Sequence, residues 1–194
     1  MEALRSLLFV PGNRPDMLEK AKTLAADALV PDLEDSVPLA EKANARQMVS
    51  GFLPELRQRG QRVIPRINSL PTGLARQDLE ALIGPHTYAI NVGKTDTPQD
   101  VQTISRIMAE QEERVGLPVG QIKLIPYIES ARAIVNALHI ASASTRVIGV
   151  AFGAEDFTNN MGIQRTDEGN EIAYPRTAVA IAARAADVLA LDTP

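Results

Sequence analysis

The sequence predicts an α/β fold, and three observations carry that expectation. Seven short apolar runs recur along the chain, each is followed by turn residues, and the segments between them carry helix signals. Strands alternating with helices make βα units and a parallel sheet. Runs that are apolar almost throughout suit strands covered on both faces.

The runs are SLLFVPG from Ser6, DALVPDLED from Asp27, RVIPRIN from Arg62, TYAINVGK from Thr87, KLIPYIES from Lys123, RVIGVAFGAED from Arg146 and VLALDTP from Val188. Between them, Pro15 with Asp16 and Glu19 opens a helix, since proline suits the first helical position and acids suit the first turn. Pro98 with Asp100 opens another, which Gly116 and Pro118 end. Ser130 caps a helix from Ala131 to about Ile140. Pro175 opens the last, PRTAVAIAARAAD, whose small residues fit close packing on a sheet.

Seven such units leave a doubly wound sheet or a barrel. The first turn, VPGNRPD, lacks the G-x-G-x-x-G of a dinucleotide-binding sheet, and no P-loop is present. In a (β/α)8 barrel the chemistry sits where strands end. Asp32, Glu34, Asp35, Arg66, Asn68, Lys94, Glu129, Glu155, Asp156 and Asp192 all fall at or near such ends. The expectation is therefore a TIM (β/α)8-type barrel, one domain over residues 1–194, C-terminally incomplete with about seven βα strands present and its last strand and tail lacking.

Composition narrows the function. The chain has 194 residues, 45% of them hydrophobic and 23% charged, and a net charge of −4. That balance argues against broad binding of nucleic acid or anionic membranes. There is no cysteine, so disulfides, thiolate catalysis and zinc–thiolate sites are excluded. No apolar run approaches the ~20 residues of a membrane span, and the N-terminus reads as a first strand. The chain is expected to be cytoplasmic.

The run VIGVAFGAEDFT raises a specific question, because two adjacent acids follow an apolar strand with no lysine or arginine in the next few residues. Such acids cap helices, pair with distant bases or hold a cation. Glu129 closes the previous strand in the equivalent place, and Mg²⁺ takes one or two protein carboxylates and keeps waters. Glu129 and Asp156 are the candidate pair. Glu155 points the other way by strand alternation and is read as structural. Arg66 offers a fixed cation with a planar donor fork, suited to a carboxylate or an enolate oxygen, or to an ion pair with the acids of DLED. Lys94 stands between a solvated charge and a member of the site.

These stretches, with RSLLFVPGNRPDMLEKA, DLEDSV followed by KANAR, PRIN, IPYIESARAIVNA, FGAEDFTNNMGI and EIAYPRTAVAIAARAADVLALDT, resemble the HpcH/HpaI aldolase and citrate lyase family, near its citrate lyase beta-subunit branch. The resemblance runs from Ser6 to Thr193. It implies a Mg²⁺-dependent carbon–carbon lyase that cleaves or forms a 3-hydroxyacyl thioester of the citryl-CoA or malyl-CoA type through an enolate. It places Arg66 and Glu129 as catalytic and substrate-contacting residues, and Glu129 and Asp156 as metal ligands. Asp32 and Glu34 are expected to hold metal-bound waters from behind, and Asn68 to meet substrate. Arg14 and Lys20, on charge and position alone, are candidates for CoA phosphates. The partner is a CoA or acyl-carrier-protein thioester, and a homo-oligomer is expected.

The sequence departs from the family pattern at Pro31, which removes a donor from a presumed central strand, at NVGK in place of LPK, and at YPR in place of YAR. Two other functions stay open. One is a class II aldolase acting on free 2-oxo acids, which needs a histidine base near an early strand end; the only histidines are His86 and His139. The other is a non-catalytic, metal-binding partner subunit.

Overall fold

Parallel pairing dominates the computed structural model, which describes residues 4–57 and 60–193. The chain folds into two compact units, one running up to Asn91 and taking in Ile107–Ile122, the other comprising Val92–Arg106 and the chain from Lys123 onward.

The first unit pairs β1 (Leu7–Pro11) in parallel with β2 (Ala28–Asp32), in the register Leu7↔Ala28 through Pro11↔Asp32. The third predicted strand arrives in two pieces, β3 (Arg62–Val63) and β4 (Arg66–Ile67), both beside β2. Two prolines account for the break. Leu29 O accepts from Ile64 N–H and Leu33 N–H donates to Arg66 O, both at 2.9 Å. Pro31 sits midway between these bonds on the same edge and has no N–H to give. Pro65 removes a donor from the other edge, although its carbonyl still accepts from Asn91 N–H at 2.9 Å. Next comes β5 (Ala89–Val92).

Helices follow the strands as the sequence predicts. Helix α1 (Pro15–Ala21) has Pro15 in its first turn and Asp16 beside it. Helices α2 (Lys42–Leu56) and α3 (Ala75–Leu82) bury Ala45, Val49 and Leu53, and Ala75, Leu79 and Leu82 respectively. Helix α4 (Pro98–Arg114) begins at the expected proline and is shared by the two units.

The second unit contains β6 (Lys123–Ile128), β7 (Gly149–Phe152) and β8 (Leu189–Leu191), paired in parallel in that order. Ser130 caps as expected, its hydroxyl accepting from Ala133 N–H at 3.0 Å. The helix it starts is broken at Asn136 into α5 (Ala131–Val135) and α6 (Ala137–Ala141). Asn136 is drawn aside by a 3.0 Å bond from its amide to Asp96 O. Helix α7 (Ala154–Met161) follows β7 directly. Helix α8 (Asn170–Ala185) begins five residues before Pro175, so that proline lies inside the helix. This corrects its expected role as the opening residue. Gly169, with φ of 66°, provides the start.

Each unit has its own apolar centre. Leu18, Leu29, Leu33, Ile67 and Leu79 are fully buried in the first, Leu124, Ile128, Val150 and Ala183 in the second. Phe152 and Phe157 meet with ring centroids 5.7 Å apart. Among the described residues no helix is long and apolar enough to cross a membrane.

Gly12, in the turn after β1, donates to Asp32 O at 2.8 Å. A Cβ there would lie 2.6 Å from that same oxygen and 2.9 Å from Val49 Cγ2. Gly12→Ala is expected to lower stability by roughly 1–3 kcal/mol, the usual scale of overpacking, read as a lower urea midpoint with an unchanged slope.

Candidate functional site

The predicted residues of the first unit gather at the C-terminal ends of its strands. Asp32 ends β2 and is 1% exposed. Arg66 is its register partner on β4, so both side chains leave the same face of the sheet. Arg66 grips Asp32 through both oxygens, Nε to Oδ1 at 2.7 Å and Nη2 to Oδ2 at 2.6 Å. Asp32 also accepts from Glu34 N–H at 2.8 Å and Ser36 N–H at 3.2 Å. The third guanidinium nitrogen lies 3.2 Å from Asp35 Oδ2 and 3.5 Å from Glu34 Oε2. The Phe9 ring lies under the guanidinium at 5.2 Å. The DLED turn is thus wrapped round one arginine.

Burial alone would raise the Asp32 pKa, but the Arg66 hydrogen bonds and charge, helped by Ser36 and Glu34, hold it below the ordinary carboxylate value. Burial would likewise lower the Arg66 pKa, and Asp32 outweighs it, so the guanidinium stays charged. Lys42 closes the turn by donating to Leu33 O at 2.7 Å and Glu34 O at 2.5 Å. Its own pKa is lowered by burial, against the pull of the surrounding acids.

The other candidates in this unit have different partners. Asn68 is 1% exposed. Its backbone and side-chain N–H groups both donate to Asp78 Oδ2, at 2.9 and 2.7 Å. Asp78 is in turn held by Arg46 Nε at 2.7 Å. Asn68 therefore ties β4 to α3. Arg14 is exposed and forks onto Asp16 at 3.0 and 2.8 Å. Lys20 is exposed in the last turn of α1.

In the second unit, Glu129 follows β6 and is 4% exposed. One carboxylate oxygen accepts from Lys94 N–H at 2.5 Å. Lys94 reaches that position with φ of 52°, a left-handed conformation that is costly for a residue with a side chain. The other oxygen lies against Gly153, where a Cβ would stand only 2.4 Å away. Glycine is required there for the carboxylate to sit at the strand end. Gly153 N–H bonds Ile128 O at 3.2 Å, so the first turn of α7, with Asp156 third in it, starts beside Glu129.

Glu155 and Asp156 belong to α7, because β7 ends at Phe152. Strand alternation is therefore the wrong reason for separating them. On a helix, neighbours diverge by about 100°. Glu155 is exposed and forms an ion pair with Arg165, while Asp156 is half-buried. Both line a cavity of about 380 Å³ with Thr158, Asn159, Ile163 and Arg165. Sequence reasoning missed Arg165. It lies ten residues beyond Glu155, and only the turn at Gly162 brings it back. Asp192 pairs with Arg176 at 2.8 Å.

Among the described residues no three or more His, Asp or Glu side chains cluster as a metal site. Two carboxylates with outside oxygens are a donor set of the kind Mg²⁺ takes, and Glu129 and Asp156 are the candidate pair.

A model of the HpcH/HpaI aldolase/citrate lyase family matches residues 5–193. The chain belongs to that family. It is 38% identical over 189 residues to the citrate lyase subunit beta of Leuconostoc mesenteroides subsp. cremoris, covering 97% of this chain and 63% of that one. The chain thus spans less than two thirds of that relative. The protein CitE of Mycobacterium tuberculosis, solved in complex with magnesium and acetoacetate, superposes with a TM-score of 0.78 at 30% identity, over 99% of this chain and 75% of that one. The malate synthase of Haloferax volcanii, solved as a magnesium/glyoxylate complex, has a TM-score of 0.88 at 20% identity, over 98% of this chain and 63% of that one, and shows the fold alone. The fold class is α/β of the TIM-barrel type, as the alternation of strands and helices predicts.

Replacing Arg66 leaves the Asp32 carboxylate buried without its main partner. Arg66→Met should cost roughly 3–5 kcal/mol near neutral pH. Because the folded Asp32 pKa is depressed, the pair contributes fully above the unfolded value of about 3.9 and its contribution is lost as pH falls through the lower folded value. The gap in urea midpoint between wild type and variant should therefore narrow below about pH 4.

Proposed function

We propose that this chain carries the ion site of a Mg²⁺-dependent carbon–carbon lyase acting on a 3-hydroxyacyl thioester of the citryl-CoA or malyl-CoA type. The carrying observation is the Glu129 carboxylate, clamped by Lys94 N–H on one side and lodged in the space left by Gly153 on the other. That geometry spends a strained lysine and a bare glycine on one acid, beside the helix that bears Asp156. Glu129 and Asp156 would hold the ion, which when bound supplies positive charge to an enolate oxygen. In its own unit, Arg66 is proposed to take a substrate oxyanion. Asp32 would aim its fork, since Asp32 already binds two of its three nitrogens.

Support for a thioester comes from relatives named as citrate lyase beta subunits, and from an M. tuberculosis structure with magnesium, acetoacetate and coenzyme A. The class II aldolase reading lacks a base. His86 precedes β5, at the opposite end of that strand from the expected chemistry, and His139 is exposed on α6. A non-catalytic, metal-binding subunit is disfavoured by the presence of DLED and PRIN as well as IES and AED, since holding an ion alone has no use for the Arg66 fork at a strand end.

The test is release of a 2-oxo acid from citryl-, malyl- and citramalyl-CoA, with Mg²⁺ and with EDTA. Turnover of at least one thioester that depends on Mg²⁺ is expected, and equal turnover in EDTA would sink the proposal. Calorimetric titration of Mg²⁺ gives a second arm. Glu129→Gln removes a ligand charge, and Gly153→Ala forces the carboxylate to move. Each should weaken Mg²⁺ roughly 10–100-fold, the scale seen when a ligand or its support is disturbed. Unchanged affinity in both would show that Glu129 does not hold the ion.

A further inference from the structure

Among the described residues, Arg165 is the only cation lining the cavity beside Asp156. The loop that carries it is held at both ends. At its start, Gly162 turns the chain with φ of 67°, and Ile163 N–H bonds back to Thr158 O at 3.0 Å. At its end, Glu171 accepts from Thr166 N–H at 2.9 Å and from the Thr166 hydroxyl at 2.8 Å. Those bonds, with a smaller contribution from the Arg165 charge, lower the Glu171 pKa. The guanidinium is thereby presented to the cavity by a braced segment, with 28% of its side chain exposed. Its partner Glu155 is 78% exposed. An ion pair whose acid stands largely in water is weak and readily exchanged.

We propose that Arg165 is an anion-binding residue for a carboxylate of the substrate, and that Glu155 occupies it as an internal stand-in until substrate arrives. The proposal deepens the reading of Glu129 and Asp156 as an ion site and rests on it for the class of ligand. A planar fork binds a carboxylate through two parallel bonds, and a cavity of about 380 Å³ accommodates a small dicarboxylic acyl group. Glu155 presents the same chemical group in the same place. Its proximity to Asp156 in sequence is then explained: one acid serves the cation, and its neighbour keeps the anion site filled.

Glu155→Gln and Arg165→Gln delete the same ion pair, yet the proposal assigns them opposite effects. Oxaloacetate is the probe, titrated with and without Mg²⁺ against wild type and both variants, and Mg²⁺ is titrated alone. Glu155→Gln removes the competitor and should tighten oxaloacetate roughly 3–10-fold. Arg165→Gln removes the fork and should weaken it roughly 10–100-fold, the scale of a charge-assisted hydrogen bond. Mg²⁺ affinity should stay within about twofold in both, because neither residue is a proposed ligand. A purely structural pair would shift both variants the same way. Parallel shifts, no shift, or no oxaloacetate binding by wild type would overturn the proposal. Opposite shifts in a protein that fails to bind Mg²⁺ would uphold the anion site and overturn the ion site. Mg²⁺ binding with parallel shifts would do the reverse.

Discussion

A carboxylate placed at the end of a buried strand must find donors within the fold, because leaving it charged and unsatisfied costs several kcal/mol. That requirement organises the functional end of each unit. Asp32 meets it with one arginine fork and two backbone N–H groups of its own turn. The turn is then too tight for a side chain at Gly12 and needs Lys42 to bind its carbonyls. Glu129 meets it differently, with a backbone N–H that Lys94 can deliver only from a left-handed conformation. Its second oxygen fits only because residue 153 has no Cβ. In both places an acid dictates the backbone around it.

The two acids differ in what holds them. Asp32 is held mainly by the Arg66 fork, which it fixes in return. Glu129 has one oxygen bonded to Lys94 N–H and the other packed opposite a glycine. One unit thus holds an arginine rigid by its acid, and the other holds an acid rigid by backbone. On the proposed roles, both would present charge through groups that do not reorganise.

Strand positions were legible in the sequence because their signal is local. Each apolar run is bounded by glycine, proline or acids, and each of the runs appears as a strand. The break in the third strand was half-legible. Pro31 announces a missing donor, but only the pairing shows that the gap faces Ile64 and Pro65. Pro175 misled because a proline in a helical stretch reads as a beginning, whereas α8 starts at the left-handed Gly169 and carries the proline within it. Asp32, Arg66, Asn68 and Glu129 stand at strand ends as the alternation of runs and turns suggests, whereas Asp156 lies in the first turn of α7. What the pattern does not show is that the Asn68 donors are taken by Asp78, from a helix that no local signal links to it.

Arg165 shows the limit most clearly. The absence of a base near Glu155 and Asp156 looked like evidence about those acids alone. The base exists ten residues away, and a glycine turn followed by a braced loop returns it to the same helix turn. Contact at that range depends on where a turn reverses the chain, and composition around the acids carries no trace of it. Once the arginine is in place, Glu155 has a partner of its own, distinct from the candidate role of Asp156. Helical geometry sends Glu155 outward to the guanidinium and leaves Asp156 half-buried at the cavity. On the proposed roles, two adjacent residues of the same charge address a cation and an anion site from one turn of helix, whereas alternation along a strand would have kept them on opposite faces of a sheet.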